Sequence, residues 1–226
     1  MAPSSAVLQC GIATIVMCAC ACAQRPDPWN DPPANMARWL VHEASWATAS
    51  AVASTSDNGT RVPGFPFGKI VTVVDGWGNS TESTGKPILL MMETQSFAQD
   101  VMHEGGKISL TFSEKEVGAQ HGGTCFKGET RAAQFPMCAH LTLQGILREV
   151  TEPADVQSAK EALIKQRPEL AGWFHGPHNF RPWRMEEVRG IYLIDHFGGA
   201  PLVSVKDYFT AQPHAPSSQL QPMLVE

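Results

Sequence analysis

Hydrophobic and polar positions alternate with period two over several short stretches of this chain, and follow helical spacing over only a few. From Trp46 to Thr55, Ala47, Ala49, Ala51 and Ala53 alternate with Thr48, Ser50 and Val52, which predicts a strand with one face of small side chains. Such a face lets another backbone or a flat ligand approach closely. Phe67 to Asp75 is rich in β-branched residues and predicts the strongest strand. Pro87–Glu93, Lys107–Phe112 and Cys138–Val150 read as three more, the last with His140, Thr142 and Gln144 alternating against Leu141 and Leu143. Phe180–Ile194 reads as a sixth strand or a bent pair.

Helical spacing is expected from Asn35, an N-cap residue type, with Met36, Trp39 and Leu40 as the apolar stripe. A short helix is expected over Ser96–His103 with Ser96 as N-cap. Another runs from Pro153 to Arg167, burying Val156, Ala159, Leu163 and Ile164, with Pro168 as its stop. A last short helix covers Val205–Phe209. Asp57-Asn58-Gly59 is a turn, and 76–86 and 114–137 are long polar or Gly-rich loops. Six strands with few helices imply a mainly β fold, an antiparallel barrel with helices plugging its ends.

The two ends of the chain differ from this middle. Residues 1–23 hold no Asp, Glu, Lys or Arg, and Ala21-Cys22-Ala23 fits a small-x-small cleavage site. This predicts a signal peptide over 1–23, the alternative being an uncleaved anchor. Residues 24–34 carry Pro26, Pro28, Pro32 and Pro33 and read as an extended, mobile arm. The folded domain is expected over 35–210, and a disordered Pro/Gln/Ser-rich tail over 211–226.

Of six cysteines, Cys10, Cys18, Cys20 and Cys22 fall in the leader. Cys125 and Cys138 remain, and in an oxidising compartment the pair implies a disulfide; two buried thiols are the alternative. Asn58-Gly59-Thr60 and Asn79-Ser80-Thr81 are glycosylation sequons in turn-like settings, so Asn58 and Asn79 are candidate glycan sites. The net charge of −5 and the lack of a basic run argue against nucleic acid, and no stretch after the leader is apolar enough to span a bilayer.

Several short pieces then carry a resemblance. Phe65-Pro66-Phe67-Gly68, Cys125, Cys138, Leu143-Gln144-Gly145, Pro168-Glu169, His178-Asn179-Phe180 and Asp195-His196-Phe197-Gly198-Gly199 occur in an order and spacing that resemble the CREG family. The resemblance covers about Met36 to Phe209. It implies a six-stranded split barrel of the FMN-binding type, related to pyridoxamine 5'-phosphate oxidases. It further implies a homodimer, and extracellular or endolysosomal residence with glycans that engage receptors. His178, Phe180, Asp195, Phe197, Gly198 and Gly199 are the motif residues, and His178 is expected to make a core hydrogen bond or a dimer contact.

A flavin split barrel raises the question of flavin mononucleotide. Its phosphate needs cations and N–H or hydroxyl donors, drawn from the second strand and from the turn and helix after the third. Here Lys69, Thr94, Gln95 and Ser96 are the candidates, Ser96 at a helix N-terminus. No Arg or Lys lies between Lys86 and Lys107, so one cation stands where two are expected. The expectation is therefore no cofactor, with FMN as the alternative, and segments 76–86 and 114–137 as candidates to fill the groove.

Other constellations carry little chemistry. His175-Gly176-Pro177-His178 has a turn where metal ligands would need a helical face. His196 reads as a solvent-exposed histidine. There is no Gly-x-Ser-x-Gly elbow. Trp173, Phe174, Phe180 and Trp183 read as core or dimer packing. Two functions follow. One is a secreted or endolysosomal dimeric glycoprotein, non-catalytic, that binds receptors or protein partners. The other is an FMN-dependent oxidoreductase, or a haem or tetrapyrrole binder, on the same fold.

Overall fold

The computed structural model describes residues 25–80, 82–117, 125 and 130–213. The expected signal peptide over 1–23, residues 118–124 and 126–129 of the Gly-rich loop, and residues 214–226 lie outside them. Six antiparallel strands close a barrel: β1 (Trp46–Val52), β2 (Pro66–Val74), β3 (Ile88–Met92), β4 (Lys107–Ser113), β5 (His140–Glu149) and β6 (Phe180–Ile194), in the order β1-β2-β3-β6-β5-β4. Among the described residues, four α-helices accompany them: α1 (Pro33–Glu43), α2 (Ser96–His103), α3 (Pro153–Gln166) and α4 (Val205–Thr210). The last expected strand is one continuous strand of 15 residues.

The barrel interior follows the period-two pattern. Ala47, Ala49 and Ala51 of β1 point inward and share one core with Met36, Trp39, Leu40 and Val41 of α1. Alanines leave room for the large side chains that α1 brings to the same core. Leu110 and Phe112 of β4 and Leu141 and Leu143 of β5 complete the wall.

β3 reads Ile-Leu-Leu-Met-Met because both its faces are covered. Leu89 and Met91 face the barrel, while Ile88 and Leu90 pack outward in a second cluster with Ala159, Ala162 and Leu163 of α3. Ala162 belongs to that face instead of Ile164, which is exposed, and Val156 is only partly buried. A 3-10 helix over Pro168–His175 follows α3 and adds Leu170 to the cluster. Pro168 thus ends the α-helix and starts a tighter one.

Among the described residues, the outer face of β1, β4 and β5 has no such cover. Cross-strand register aligns Ile70, Thr48, Thr111, Thr142 and Tyr192 in one row over five strands. Ile70 and Tyr192 are exposed, and Thr111 and Thr142 share a hydroxyl hydrogen bond of 3.0 Å. At the bulge in β5, Gly145 lies so close to β6 that a Cβ would come within 2.0 Å of the Glu187 carbonyl oxygen.

The Pro-rich arm is docked, not free. Arg25 forms a buried two-pronged ion pair with Glu114, and Pro26 is buried. Helix α1 begins at Pro33, with Pro32 in the capping position, so Asn35 lies inside the first turn. Proline suits that place because its missing N–H would be unpaired there in any case. At the other end Ala211 and Pro213 are buried, so packing continues past residue 210.

Candidate functional site

A pocket of about 390 Å³ opens where β2 meets the start of α2, beneath the β1–β2 loop. Lys69 and Phe67 come from β2, Gln95, Ser96 and Phe97 from α2 and the turn before it, and Asp57, Thr60 and Arg61 from the loop. Three of the four expected cofactor residues thus line one cavity. Thr94 does not: the strand ends at Met92, and Thr94 stands exposed in the turn beyond it.

Arg61 was not among the expected residues. It follows the left-handed run Asp57 (φ 45°), Asn58 (φ 57°) and Gly59 (φ 85°), which turns the chain back over β2. The loop is pinned to α2 through Asp100, a fully buried carboxylate. Asp100 accepts hydrogen bonds from the Ser54 amide and hydroxyl, each at 2.7 Å, and pairs with the Arg61 guanidinium. Arg61 Nη2 donates to Thr55 at 2.8 Å, and its guanidinium lies 5.4 Å from the Phe67 ring centre.

Ser96 does not cap α2. The N-cap position falls on Gln95, without a side-chain bond, and Ser96 Oγ donates to Asp57 Oδ2 at 2.7 Å. Asp57 Oδ2 also lies 3.8 Å from Arg61 Nε. Partial burial pulls the pKa of Lys69 below its ordinary value.

These donors do not fit a flavin phosphate as they stand. Two cations are present, Lys69 and Arg61, so the second cation that sequence reasoning missed exists. Two carboxylates, Asp57 and Asp100, face the same guanidinium and offset both charges. Asp57 also holds the Ser96 hydroxyl. A phosphate entering here would meet a cluster of zero formal charge and a carboxylate in its place. The segment over this pocket is the β1–β2 loop, not 76–86, which is tied elsewhere: Asp75 accepts from Thr84 and Gly85 of that loop at 2.8 and 3.0 Å.

The remaining expected residues are spread over the molecule. His178 and Phe180 sit at the start of β6 and Asp195 just past its end. His178 is exposed, its ring 6.2 Å from that of Phe180, so of its two expected roles it does not fill the core one, the other being a dimer contact. Asn179 before the strand has φ 47° and turns the histidine outward. His196 is mostly buried instead of solvent-exposed; its Nδ1 lies 2.6 Å from Oδ1 of the buried Asp195, and its ring meets Trp29 of the arm at 4.7 Å. Phe197 is exposed and packs edge-on against Phe135, while Gly198 and Gly199, at φ 125° and 101°, form the turn that returns the chain toward α4. Trp183 is core, whereas Trp173 is half-exposed and stacks near Phe180 at 4.9 Å.

Cys125 and Cys138 are joined by a disulfide, and both are fully buried. Asn58 and Asn79 are both exposed. Asn79 Nδ2 donates to Glu161 Oε2 at 3.3 Å. Among the described residues, no three His, Cys, Asp or Glu are grouped to hold a metal ion, and no helix is long and apolar enough to cross a membrane.

Known proteins share this architecture. Solved structures that superpose on the chain include a heme-binding protein from Mycobacterium smegmatis, at TM-score 0.57 and 13% identity, covering 80% of this chain and 62% of its own. Another is the protein Atu2129 from Agrobacterium tumefaciens, at TM-score 0.54 and 17% identity, covering 81% and 63%. At these identities the likeness is one of fold, the six-stranded split barrel. In both cases the chain spans less than two thirds of the structure it matches.

Sequence relatives are nearer. Protein CREG1 of Gallus gallus is 27% identical over 200 residues, covering 87% of this chain and 97% of the relative. Protein CREG2 of Homo sapiens is 30% identical over 178 residues, covering 78% of this chain and 56% of the relative. The family model described as "CREG, beta-barrel" matches residues 28–210, and the chain belongs to that family.

Proposed function

We propose that this protein is a secreted or endolysosomal dimeric glycoprotein that uses a flavin split barrel without catalysis and acts by binding receptors or protein partners. The observation that carries the reading is the position of Asp57, whose carboxylate holds Ser96 and faces Arg61 where a flavin phosphate would need donors. Dimerisation through the bare β1–β4–β5 face is supported by its row of Ile70, Thr48, Thr111, Thr142 and Tyr192, which carries no formal charge. Trp46 and Val52, both partly exposed, extend the same face of β1. Glycosylation is supported by the exposure of Asn58 and Asn79.

The test is a visible absorption spectrum of the protein secreted by a eukaryotic host, before and after incubation with flavin mononucleotide or haemin and gel filtration. The reading expects a colourless protein that elutes as a glycosylated dimer. A retained flavin or haem band would establish the alternative, a flavin-dependent oxidoreductase or tetrapyrrole binder.

A further inference from the structure

The pocket beneath the β1–β2 loop contains one donor that its surroundings leave unused. Arg61 is 6% exposed, and its Nε has no hydrogen-bond partner. Nη1 goes to Asp100 and Nη2 to Thr55, so both ends of the fork are taken. A buried, unpaired N–H on a cation is costly unless something accepts from it. Asp57 Oδ2 lies 3.8 Å from Arg61 Nε, too far for a hydrogen bond. Ser96 Oγ points to that same oxygen, and Lys69 lines the cavity with no ion-pair partner among the described residues. Gln95 completes the lining.

Asp57 itself is half-exposed and held at φ 45°, a backbone region that disfavours a side-chain-bearing residue. Its half-exposed carboxylate therefore lines the cavity from the loop, while the donors Lys69 and Ser96 come from β2 and α2. We propose that Asp57 is a tethered plug in the anion position of a phosphate-monoester pocket, and that removing its charge opens a site formed by Arg61 Nε, Ser96 Oγ, Lys69 and Gln95. With Asp57 in place the cluster is neutral and the Ser96 hydroxyl is held by a carboxylate. Without it, Asp100 still balances Arg61, Lys69 is uncompensated, Ser96 Oγ loses its acceptor and Arg61 Nε still has none. The inference deepens the reading of this pocket as closed in the native protein.

The experiment titrates inorganic phosphate into the unaltered protein, Asp57→Asn and Asp57→Gly, following heat of binding and the 31P signal. Asp57→Gly relieves the left-handed backbone while deleting the carboxylate, so a folded variant is available even if Asp57→Asn is unstable. Asp155→Asn, exposed at the start of α3, controls for net charge. The expected result is phosphate affinity at least about tenfold higher in both Asp57 variants, no gain in Asp155→Asn, and loss of the gain when Lys69→Met is added. Flavin mononucleotide should compete with phosphate and riboflavin should not.

Folded Asp57 variants with no gain would overturn the proposal, as would a gain that survives Lys69→Met or is matched by Asp155→Asn. Equal binding of riboflavin and flavin mononucleotide would also overturn it, because the ring and not the phosphate would then be recognised. A missing gain leaves the proposed function intact, whereas flavin retained by the unaltered protein ends both.

Discussion

Arg25 and Glu114, 89 residues apart, meet in a two-pronged ion pair: Nε to Oε1 at 2.6 Å and Nη2 to Oε2 at 3.1 Å. Both side chains are nearly buried, at 8% and 1% exposed. Glu114 also accepts from the Ala139 amide at 2.7 Å, and Arg25 donates to the Met137 carbonyl at 3.2 Å. The pair thus joins the N-terminal arm to the segment carrying the disulfide.

Breaking one partner strands a buried charge. Arg25→Ala should cost about 3 kcal/mol, and lower Tm by roughly 6–12 °C. Arg25→Met combined with Glu114→Gln should cost less than either single change, because no unpaired charge remains. Thermal unfolding of Arg25→Ala, the two singles Arg25→Met and Glu114→Gln, and the double variant checks this, and a double variant less stable than both of its singles would refute it.

Asp75 gives the molecule an acid-sensitive clamp. Burial opposes its ionisation, but hydrogen bonds from Ser83 and Thr84 and the neighbouring His42, whose Nδ1 lies 3.7 Å away, outweigh that and hold its pKa below the ordinary 3.8. A depressed folded-state pKa adds stability that is present above the unfolded value and lost as pH falls through the folded one. Wild-type stability should therefore fall below about pH 4. Asp75→Asn should be less stable at pH 7 and should show a shallower fall, read from urea midpoints at pH 3 and 7.

Tyr208 closes the same end of the molecule. Its hydroxyl donates to the Gly85 carbonyl at 2.9 Å, and its own carbonyl accepts from Arg38 at 3.2 Å. Burial, first, and the nearby Asp75 charge push its pKa far up. Tyr208→Phe should cost about 1–2 kcal/mol. Gly85→Ala should cost more, since a Cβ there would come within 3.0 Å of Arg38 and Tyr208 at φ 69°. Urea titration ranks the two.

Lys69 is held below its ordinary pKa by partial burial. Its charged form therefore weakens the fold at neutral pH, and that penalty is relieved as pH rises toward the unfolded value of 10.5. Lys69→Met should raise Tm at pH 7 and lose part of the gain relative to wild type at pH 10. A variant less stable at pH 7 would show that Lys69 holds an unrecognised partner.

The disulfide between Cys125 and Cys138 closes a segment with a sequence separation of 13. Reduction, or Cys125→Ser with Cys138→Ser, should cost about 3 kcal/mol in the chain-entropy account. Denaturant midpoints with and without reductant measure it.

The strands were readable because one face of each is wet and the other dry, and β3 because both are dry. Cap positions were less readable. Asn35 and Ser96 are residue types that cap helices, yet two prolines start α1 earlier, and Ser96 is engaged by Asp57. Arg61 was invisible as a site residue because its main partner, Asp100, lies 39 residues away, and because a left-handed turn brings it back over β2. His178 and Asp195 were recognisable as motif members, but no local pattern shows that one is exposed and the other buried at opposite ends of β6.

The place of β6 between β3 and β5 also governs the order in which the molecule can be made. While the ribosome is still short of Phe180, β3 has only β2 beside it and β5 only β4, so two strand edges hang open. The barrel closes only when the final strand threads between them, a step dominated by contacts distant in sequence and therefore slow. A nascent chain halted before that strand would present two sticky edges to the lumen or cytosol, which makes this stage the natural point for a chaperone to act.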